Sequence, residues 1–121
     1  MHSLVIDDSR AMRLILGRML RDLGFTVADA TNGREGLERL SATAPDLVLV
    51  DWNMPEMSGI EFLEAMRRPP YASTAKVLMV TTESEVTQVI AALGAGADEY
   101  LMKPFTPAAV LDKLHLLGLE V

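Results

Sequence analysis

The stretch Leu47–Asp51, with the sequence LVLVD, constrains the fold of this chain more than any other. Four consecutive aliphatic residues are typical of a strand that is buried on both faces, as in a parallel sheet covered by helices. Asp51 follows the last of these residues, so the predicted strand ends in an acid at the carboxyl edge of the sheet. Ligands of open α/β folds bind at that edge. We therefore expect any chemical centre of the protein to include Asp51.

The rest of the chain alternates between short apolar runs and segments with helical spacing of apolar residues. This pattern predicts a parallel sheet with helices on both faces. It also predicts a single domain over residues 1–121, because no linker or repeat interrupts the alternation. The predicted strands are Leu4–Ile6, Phe25–Ala30, Asp46–Asp51, Lys76–Val80 and Glu99–Met102, and the predicted helices are Ser9–Leu23, Glu35–Ser41, Ile60–Arg67, Glu83–Leu93 and Pro107–Leu117. A turn at Asn32-Gly33 is expected before the second helix.

Charge and composition exclude several classes of function. The net charge of −6 argues against direct binding to nucleic acid, which favours a basic surface. The chain has no cysteine, so disulfide bonds are excluded and nothing indicates an oxidising compartment. It shows no signal peptide and no apolar run of the roughly 20 residues that would span a membrane. We therefore expect a cytoplasmic protein without membrane insertion.

Polar residues follow four of the five predicted strands, at the point where each strand ends. They are Asp7-Asp8, Asp51, Thr81 and Lys103. Each has a structural interpretation as a cap, a turn residue or an exposed loop residue. However, the carboxyl ends of parallel strands share one edge of the sheet, so these side chains are expected to converge on one site.

Three neighbouring carboxylates repel one another, and a divalent cation would relieve that repulsion. Oxygen ligands suit Mg²⁺, whereas the lack of clustered histidine and cysteine makes a zinc site improbable. A cation beside a carboxylate, a lysine and a hydroxyl is typical of phosphoryl-transfer sites. No glycine-rich phosphate loop is present, so a nucleotide is not the expected ligand.

The same residues carry a family resemblance. Over essentially its whole length the chain resembles the receiver domains of two-component response regulators, most of all the single-domain regulators of chemotaxis. The resemblance implies a flavodoxin-like, doubly wound, five-stranded parallel sheet of order 2-1-3-4-5 with five helices. The motifs that carry it are Asp7-Asp8, Asp51 followed by Pro55 and Gly59, Thr81, and Lys103-Pro104-Phe105.

The resemblance also implies roles for the strand-end residues. Asp51 would accept a phosphoryl group from a phosphohistidine on a sensor histidine kinase or a histidine phosphotransfer protein. Mg²⁺ would be bound by Asp8, Asp51 and the backbone carbonyl of Asn53, with Asp7 acting largely through bound water. Lys103 would pair with the phosphoryl oxygens.

Further positions are implied to switch or reset the signal. Thr81 would move to hydrogen-bond the phosphoryl group, and Tyr100 would follow it inward. Asn53 and Glu83 would influence autodephosphorylation, so a short-lived signal is expected. The bond between Lys103 and Pro104 is expected to be cis.

The expected output surface comprises the fourth helix, the fifth strand and the fifth helix. The fourth helix carries more apolar residues than one buried stripe requires, so some of them would be exposed for a downstream target protein or a weak dimer contact. In the alternative, all four apolar residues of this helix pack on the sheet, namely Val86, Val89, Ile90 and Leu93. The candidate surface residues are Val86, Val89, Leu93, Tyr100 and Met102.

Three functions remain open from the sequence. The first is a stand-alone phosphorylation-dependent switch that acts in chemotaxis and is not a multiple-turnover enzyme on outside substrates. The second is the receiver of a larger transcriptional or enzymatic regulator. The third is a Mg²⁺-dependent phosphatase with Asp51 as nucleophile. Such enzymes of the haloacid-dehalogenase type require a second aspartate two residues after the nucleophile, and this chain has Asn53 there.

Overall fold

The computed structural model shows a five-stranded parallel sheet covered by helices on both faces. It describes residues 1–82 and 86–121, and for 86–88 it describes only the backbone. The described residues form ten elements, which are β1 (His2–Ile6), α1 (Arg10–Asp22), β2 (Thr26–Ala30), α2 (Gly33–Thr43), β3 (Leu47–Asp51), α3 (Gly59–Arg67), β4 (Lys76–Thr81), α4 (Val86–Gly94), β5 (Glu99–Met102) and α5 (Pro107–Leu116). The strand order is β2-β1-β3-β4-β5, so the predicted flavodoxin-like fold is confirmed.

Helix caps set most of the boundaries that the sequence placed only approximately. The predicted turn at Asn32-Gly33 is wrong, because the Asn32 side chain accepts a hydrogen bond from the N–H of Glu35 (2.8 Å) and α2 begins at Gly33. Ser9, rather than Asp8, caps α1. Side-chain capping of the first free N–H groups therefore lets α2 begin two residues, and α3 one residue, before the predicted start.

The two faces of the sheet bury separate cores, and alternate residues of each strand point into one or the other. Val48 and Val50 face the core under α2, α3 and α4, where Phe62 is fully buried. Leu47 and Leu49 face the core under α1 and α5. This two-sided burial of β3 is what its unbroken aliphatic sequence predicts.

The register of the sheet brings the carboxyl ends of its strands to one edge. Ile6 of β1 pairs with Val50 of β3, and Thr81 of β4 pairs with Met102 of β5. The backbone N–H of Lys103 donates to the carbonyl of Thr81 (2.7 Å), which extends the pairing past the end of β5. Asp7 after β1, Asp51 at the end of β3 and Lys103 after β5 therefore lie at the same edge of the sheet.

One arginine ties together the opposite edge of the sheet. Arg67, at the end of α3, donates to the backbone carbonyls of Ser73 (3.0 Å), Ala75 (2.7 Å) and Gly96 (2.9 Å). It also forms an ion pair with Asp98 at 3.1 Å. These contacts link the segments that lead into β4 and β5.

The sequence predicts the fourth helix from Glu83, a position that lies outside the described residues, and the described helix runs from Val86 to Gly94. Within the described ranges, no helix combines the length and the apolar character needed to cross a membrane.

Candidate functional site

Three aspartates meet at the carboxyl edge of the sheet, as the sequence predicts. Asp7 and Asp8 follow β1, and Asp51 is the last residue of β3. Each offers a carboxylate oxygen, and these oxygens all lie within 4.8 Å of one another. Asp7 (1% exposed) and Asp51 (8%) are buried, whereas Asp8 is exposed to solvent. The cluster is therefore open to solvent on the side of Asp8.

Lys103 places a positive charge against the two buried acids. Its Nζ lies 3.4 Å from Oδ2 of Asp7 and 3.4 Å from Oδ1 of Asp51. The bond between Lys103 and Pro104 is cis, as expected. One ammonium group between two carboxylates cannot neutralise the cluster, so the site keeps an excess of negative charge.

The pKa of Asp51 reflects both its burial and that excess of negative charge. Burial raises the pKa of the Asp51 carboxyl above its ordinary value of 3.8, and the nearby charge of Asp7 raises this pKa further. Lys103 acts in the opposite direction through its charge and its hydrogen bond, and Asp8 adds a smaller increase. The ionised form of Asp51 is thus destabilised, and an added cation would stabilise it.

The residues around Asp7 hold it in place. Its carboxylate Oδ1 accepts a hydrogen bond from the N–H of Ser9 (2.9 Å), and its own N–H donates to the carbonyl of Ala30 (3.1 Å). Its carbonyl accepts a hydrogen bond from Nη1 of Arg13 (2.8 Å). Arg13 belongs to none of the motifs in the sequence. Its only signal is an arginine one helical turn after Ser9, close enough to reach back over the strand end.

The loop after Asp51 folds closely over the end of β3. The N–H of Trp52 donates to the carbonyl of Val80 (2.8 Å), and the N–H of Gly59 donates to the carbonyl of Trp52 (3.0 Å). A side chain at Gly59 would overlap the backbone oxygen of Asp51. Asn53 is exposed within this loop. The glycine therefore permits the tight turn that sets the backbone around Asp51 and Asn53.

Thr81 and Tyr100 occupy neighbouring strands near the cluster. Thr81 is the last residue of β4 and is 2% exposed. Tyr100 lies on β5, is half-buried and packs against the core under α2 and α3. The Nζ of Lys113 lies 4.2 Å from the centre of the Tyr100 ring and 3.1 Å from Glu99. Both sequence-predicted switch residues thus lie on the strands that flank the site.

The predicted output surface is partly apolar and exposed. On α4, Ile90 is 62% exposed and Leu93 is 45% exposed, while Val89 is half-buried. Met102 on β5 is also half-buried. The alternative that all the apolar residues of this helix pack on the sheet is therefore wrong. The side chain of Val86 and the whole of Glu83 lie outside the described residues.

The donor atoms of the acidic cluster fit a hard divalent cation. They are the carboxylate oxygens of Asp7, Asp8 and Asp51. Two of the three acids are buried, and among the described residues Lys103 alone forms an ion pair with them. Such a set favours Mg²⁺ over zinc or another soft metal.

The comparisons with known proteins agree with the fold and the site. Residues 3–115 match the family model described as the response regulator receiver domain. The chain belongs to this family, the receiver domains of two-component signalling.

Its relatives include regulators of chemotaxis. The chain is 41% identical to chemotaxis protein CheY1 of Helicobacter pylori, over 97% of this chain and 96% of that protein. It is 42% identical to chemotaxis protein CheY of Pseudomonas aeruginosa, over 95% and 94% of the two chains. The crystallised CheY4 of Vibrio cholerae superposes with a TM-score of 0.88 at 34% identity, over 94% of this chain and 95% of that one.

Proposed function

We propose that the protein is a phosphorylation-controlled signalling switch. Asp51 accepts a phosphoryl group from the phosphohistidine of a sensor histidine kinase or a histidine phosphotransfer protein. The supporting observation is a buried Asp51 carboxylate that lies 3.4 Å from Lys103 and within reach of two more acids. A carboxylate oxygen of Asp51 bonds to phosphorus while the phosphorus–nitrogen bond breaks, and the electron pair of that bond stays on the imidazole nitrogen.

The acidic cluster would hold Mg²⁺ through Asp8, Asp51 and the backbone carbonyl of Asn53, with Asp7 acting through bound water. When bound, Mg²⁺ would neutralise charge on the carboxylates and on the phosphoryl oxygens. The raised pKa of Asp51 supports this assignment, because burial and the neighbouring acids that raise it destabilise the ionised carboxylate, which a bound cation would stabilise.

Three side chains of the protein would respond to the new phosphoryl group. Lys103, already beside Asp51, would pair with a phosphoryl oxygen. The hydroxyl of Thr81 would donate a hydrogen bond to another, and Tyr100 would move inward behind it. A phosphoryl group can shift such an equilibrium because it binds one of the two conformations more strongly.

The signal would be short-lived and self-resetting. Asn53 is exposed beside the site, and together with Glu83 it would influence attack of water on the acyl phosphate. Hydrolysis would then be limited to the protein's own aspartyl phosphate. We therefore propose a signalling protein rather than a multiple-turnover enzyme.

The output would pass through α4, β5 and α5 to a partner protein. The exposed Ile90 and Leu93 supply an apolar contact area on α4. Because the relatives named above are chemotaxis proteins, we propose a role in chemotaxis, with the protein acting in the cytoplasm as a monomer or weak dimer.

Phosphorylation by a small donor tests this proposal directly. The protein is mixed with Mg²⁺ and then phosphoramidate or acetyl phosphate, while intact mass and Trp52 fluorescence are followed. We expect the mass of one added phosphoryl group, which requires Mg²⁺ and decays after the donor is removed. Asp51→Asn should abolish the addition, whereas Asp112→Asn, a change of the same charge at an exposed position on α5, should not.

Two results would contradict the proposal. A mass addition that survives Asp51→Asn would place the nucleophile elsewhere. Repeated turnover of unrelated phosphate esters such as p-nitrophenyl phosphate would instead favour a phosphatase.

A further inference from the structure

Arg13 links the acidic cluster to the end of β2. Its side chain is only 13% exposed. One end donates from Nη1 to the carbonyl of Asp7 (2.8 Å), and Nε forms an ion pair with Asp29 at 3.3 Å. Asp29 itself is largely exposed. The guanidinium group is therefore held from both sides, in the planar geometry that an arginine can offer and a lysine cannot.

The carbonyl that Arg13 binds belongs to the peptide that joins Asp7 to Asp8. The carboxylate of Asp7 is fixed separately by Ser9 and Lys103. The carboxylate of Asp8 is exposed, so the direction of this peptide largely decides where it lies. Its oxygen lies within 4.8 Å of the Asp51 oxygen although the two acids repel each other.

We propose that Arg13 is a positioning residue for divalent-cation binding. By holding the peptide between Asp7 and Asp8, it keeps the Asp8 carboxylate close to Asp51 before any cation arrives. Asp29 orients the guanidinium for this task. The inference rests on the proposed function and adds to it a residue that touches neither the cation nor the phosphoryl group. Substitution of a group that orients a metal ligand commonly lowers metal affinity by about ten-fold or more.

The charge of Arg13 allows the positioning role to be distinguished by the direction in which Mg²⁺ affinity changes when Arg13 is replaced. A guanidinium group close to the cluster repels an incoming cation, so charge alone predicts that its removal tightens Mg²⁺ binding. A role only in global stability predicts no change in the affinity of the folded protein. The positioning role predicts that removal weakens binding.

Mg²⁺ titration of Arg13→Gln, followed by Trp52 fluorescence, separates these three effects. We expect the dissociation constant to rise about ten-fold. Arg13→Lys keeps the charge but cannot bind the carbonyl of Asp7 and the carboxylate of Asp29 equally well. Its dissociation constant for Mg²⁺ should therefore lie between those of the wild type and Arg13→Gln. Arg39→Gln is the matched control, because Arg39 also contacts Asp29, at its backbone carbonyl, and leaves Asp7 untouched. Its affinity should equal that of the wild type.

A rate measurement adds a second readout. With phosphoramidate at subsaturating Mg²⁺, Arg13→Gln should be phosphorylated more slowly than the wild type. At saturating Mg²⁺ the two rates should converge, because the defect lies in cation binding. A deficit that persists at saturation would overturn the positioning role.

The remaining outcomes are also decisive. Unchanged or tighter Mg²⁺ binding by Arg13→Gln would overturn the inference while the wild type still binds Mg²⁺, which leaves the proposed function standing. Failure of the wild type to bind Mg²⁺ would overturn both. If Arg13→Gln does not fold, Asp29→Asn replaces it. That variant removes the ion pair of Arg13, and we expect a smaller loss of affinity. An unchanged affinity would overturn the inference.

Discussion

Asp51→Asn should stabilise the metal-free protein, although it removes the proposed phosphoryl acceptor. The substitution keeps the shape of a side chain that is 8% exposed and removes its charge. The charge interacts with the oxygens of Asp7 and Asp8 within 4.8 Å and with Lys103 at 3.4 Å. The sign of the effect depends on whether repulsion and burial outweigh the attraction to Lys103.

The magnitude follows from these distances. At an effective dielectric constant of about 20, a like charge no farther than 4.8 Å away costs at least about 3.5 kcal/mol, and the ammonium at 3.4 Å contributes about 5 kcal/mol in the other direction. The repulsion from Asp8 is weakened by solvent, so the pairwise terms nearly cancel. Burial of the carboxylate, which costs several kcal/mol, then decides the outcome. We expect Asp51→Asn to raise the free energy of unfolding by about 1–3 kcal/mol at pH 7.

Urea unfolding in EDTA measures this change. Asp112→Asn, which makes the same change of net charge at an exposed position, should stay within about 0.5 kcal/mol of the wild type. Added Mg²⁺ should stabilise the wild type, by about 1.4 kcal/mol at roughly ten times its dissociation constant. Asp51→Asn should gain less, because it lacks one ligand.

The pH dependence checks the cause. The pKa of Asp51 is raised in the folded protein, so below its ordinary value of 3.8 the carboxyl is protonated in both states and carries no penalty. As the pH rises from there through the raised pKa, the wild type loses stability relative to Asp51→Asn. The difference between the two should therefore close as the pH falls towards 3.8. A wild type more stable than Asp51→Asn at pH 7, or a difference that ignores pH, would refute this reasoning.

Three further substitutions test other parts of the site. Gly59→Ala places a methyl group against the backbone of Asp51 and should cost about 1–3 kcal/mol in urea unfolding, whereas Gly94→Ala has open space and should cost nothing; equal effects would contradict the packing argument. Lys103→Met should lower the free energy of unfolding and yet tighten Mg²⁺ binding in a fluorescence titration, because the ammonium no longer competes for the two buried acids; weaker binding would be contrary to this view. Ser58→Ala removes the capping box of α3 and should cost about 1 kcal/mol by thermal unfolding, and an unchanged melting temperature would show the cap to be unimportant.

The sequence predicts the fold well because burial alone determines the pattern of this sheet. The aliphatic run before Asp51 and the strand-end position of Lys103 are direct consequences of two-sided burial and parallel pairing. Helical spacing is less decisive at the surface. Ile15 fits the apolar stripe of α1 and is nevertheless 46% exposed, because the stripe is wider than the face that packs on the sheet.

The part of the site that the sequence does not predict consists of contacts made through the backbone. Arg13 binds a carbonyl group, and every residue has one, so no side-chain pattern marks the partner. Gly59 belongs to the motif that follows Asp51, but its physical role, the close approach to the backbone oxygen of Asp51, is visible only in the structure. Residue types indicate which chemistry converges at the edge of the sheet, but the supporting contacts require coordinates.

The contacts of Arg67 anchor the domain at the edge of the sheet opposite the acidic cluster. They fasten Gly96, just beyond α4, and Asp98, just before β5, to the segment that leads into β4. If phosphorylation displaces Thr81 as proposed, the displacement would act on elements that are anchored at their far ends. We therefore expect α4 to move most at its N-terminal end, which follows β4 and the proposed site. It should move least at its C-terminal end, close to the anchored Gly96. A partner that binds at the anchored C-terminal end of α4 would have similar affinity for the phosphorylated and unphosphorylated protein. A partner that binds at the N-terminal end would distinguish the two.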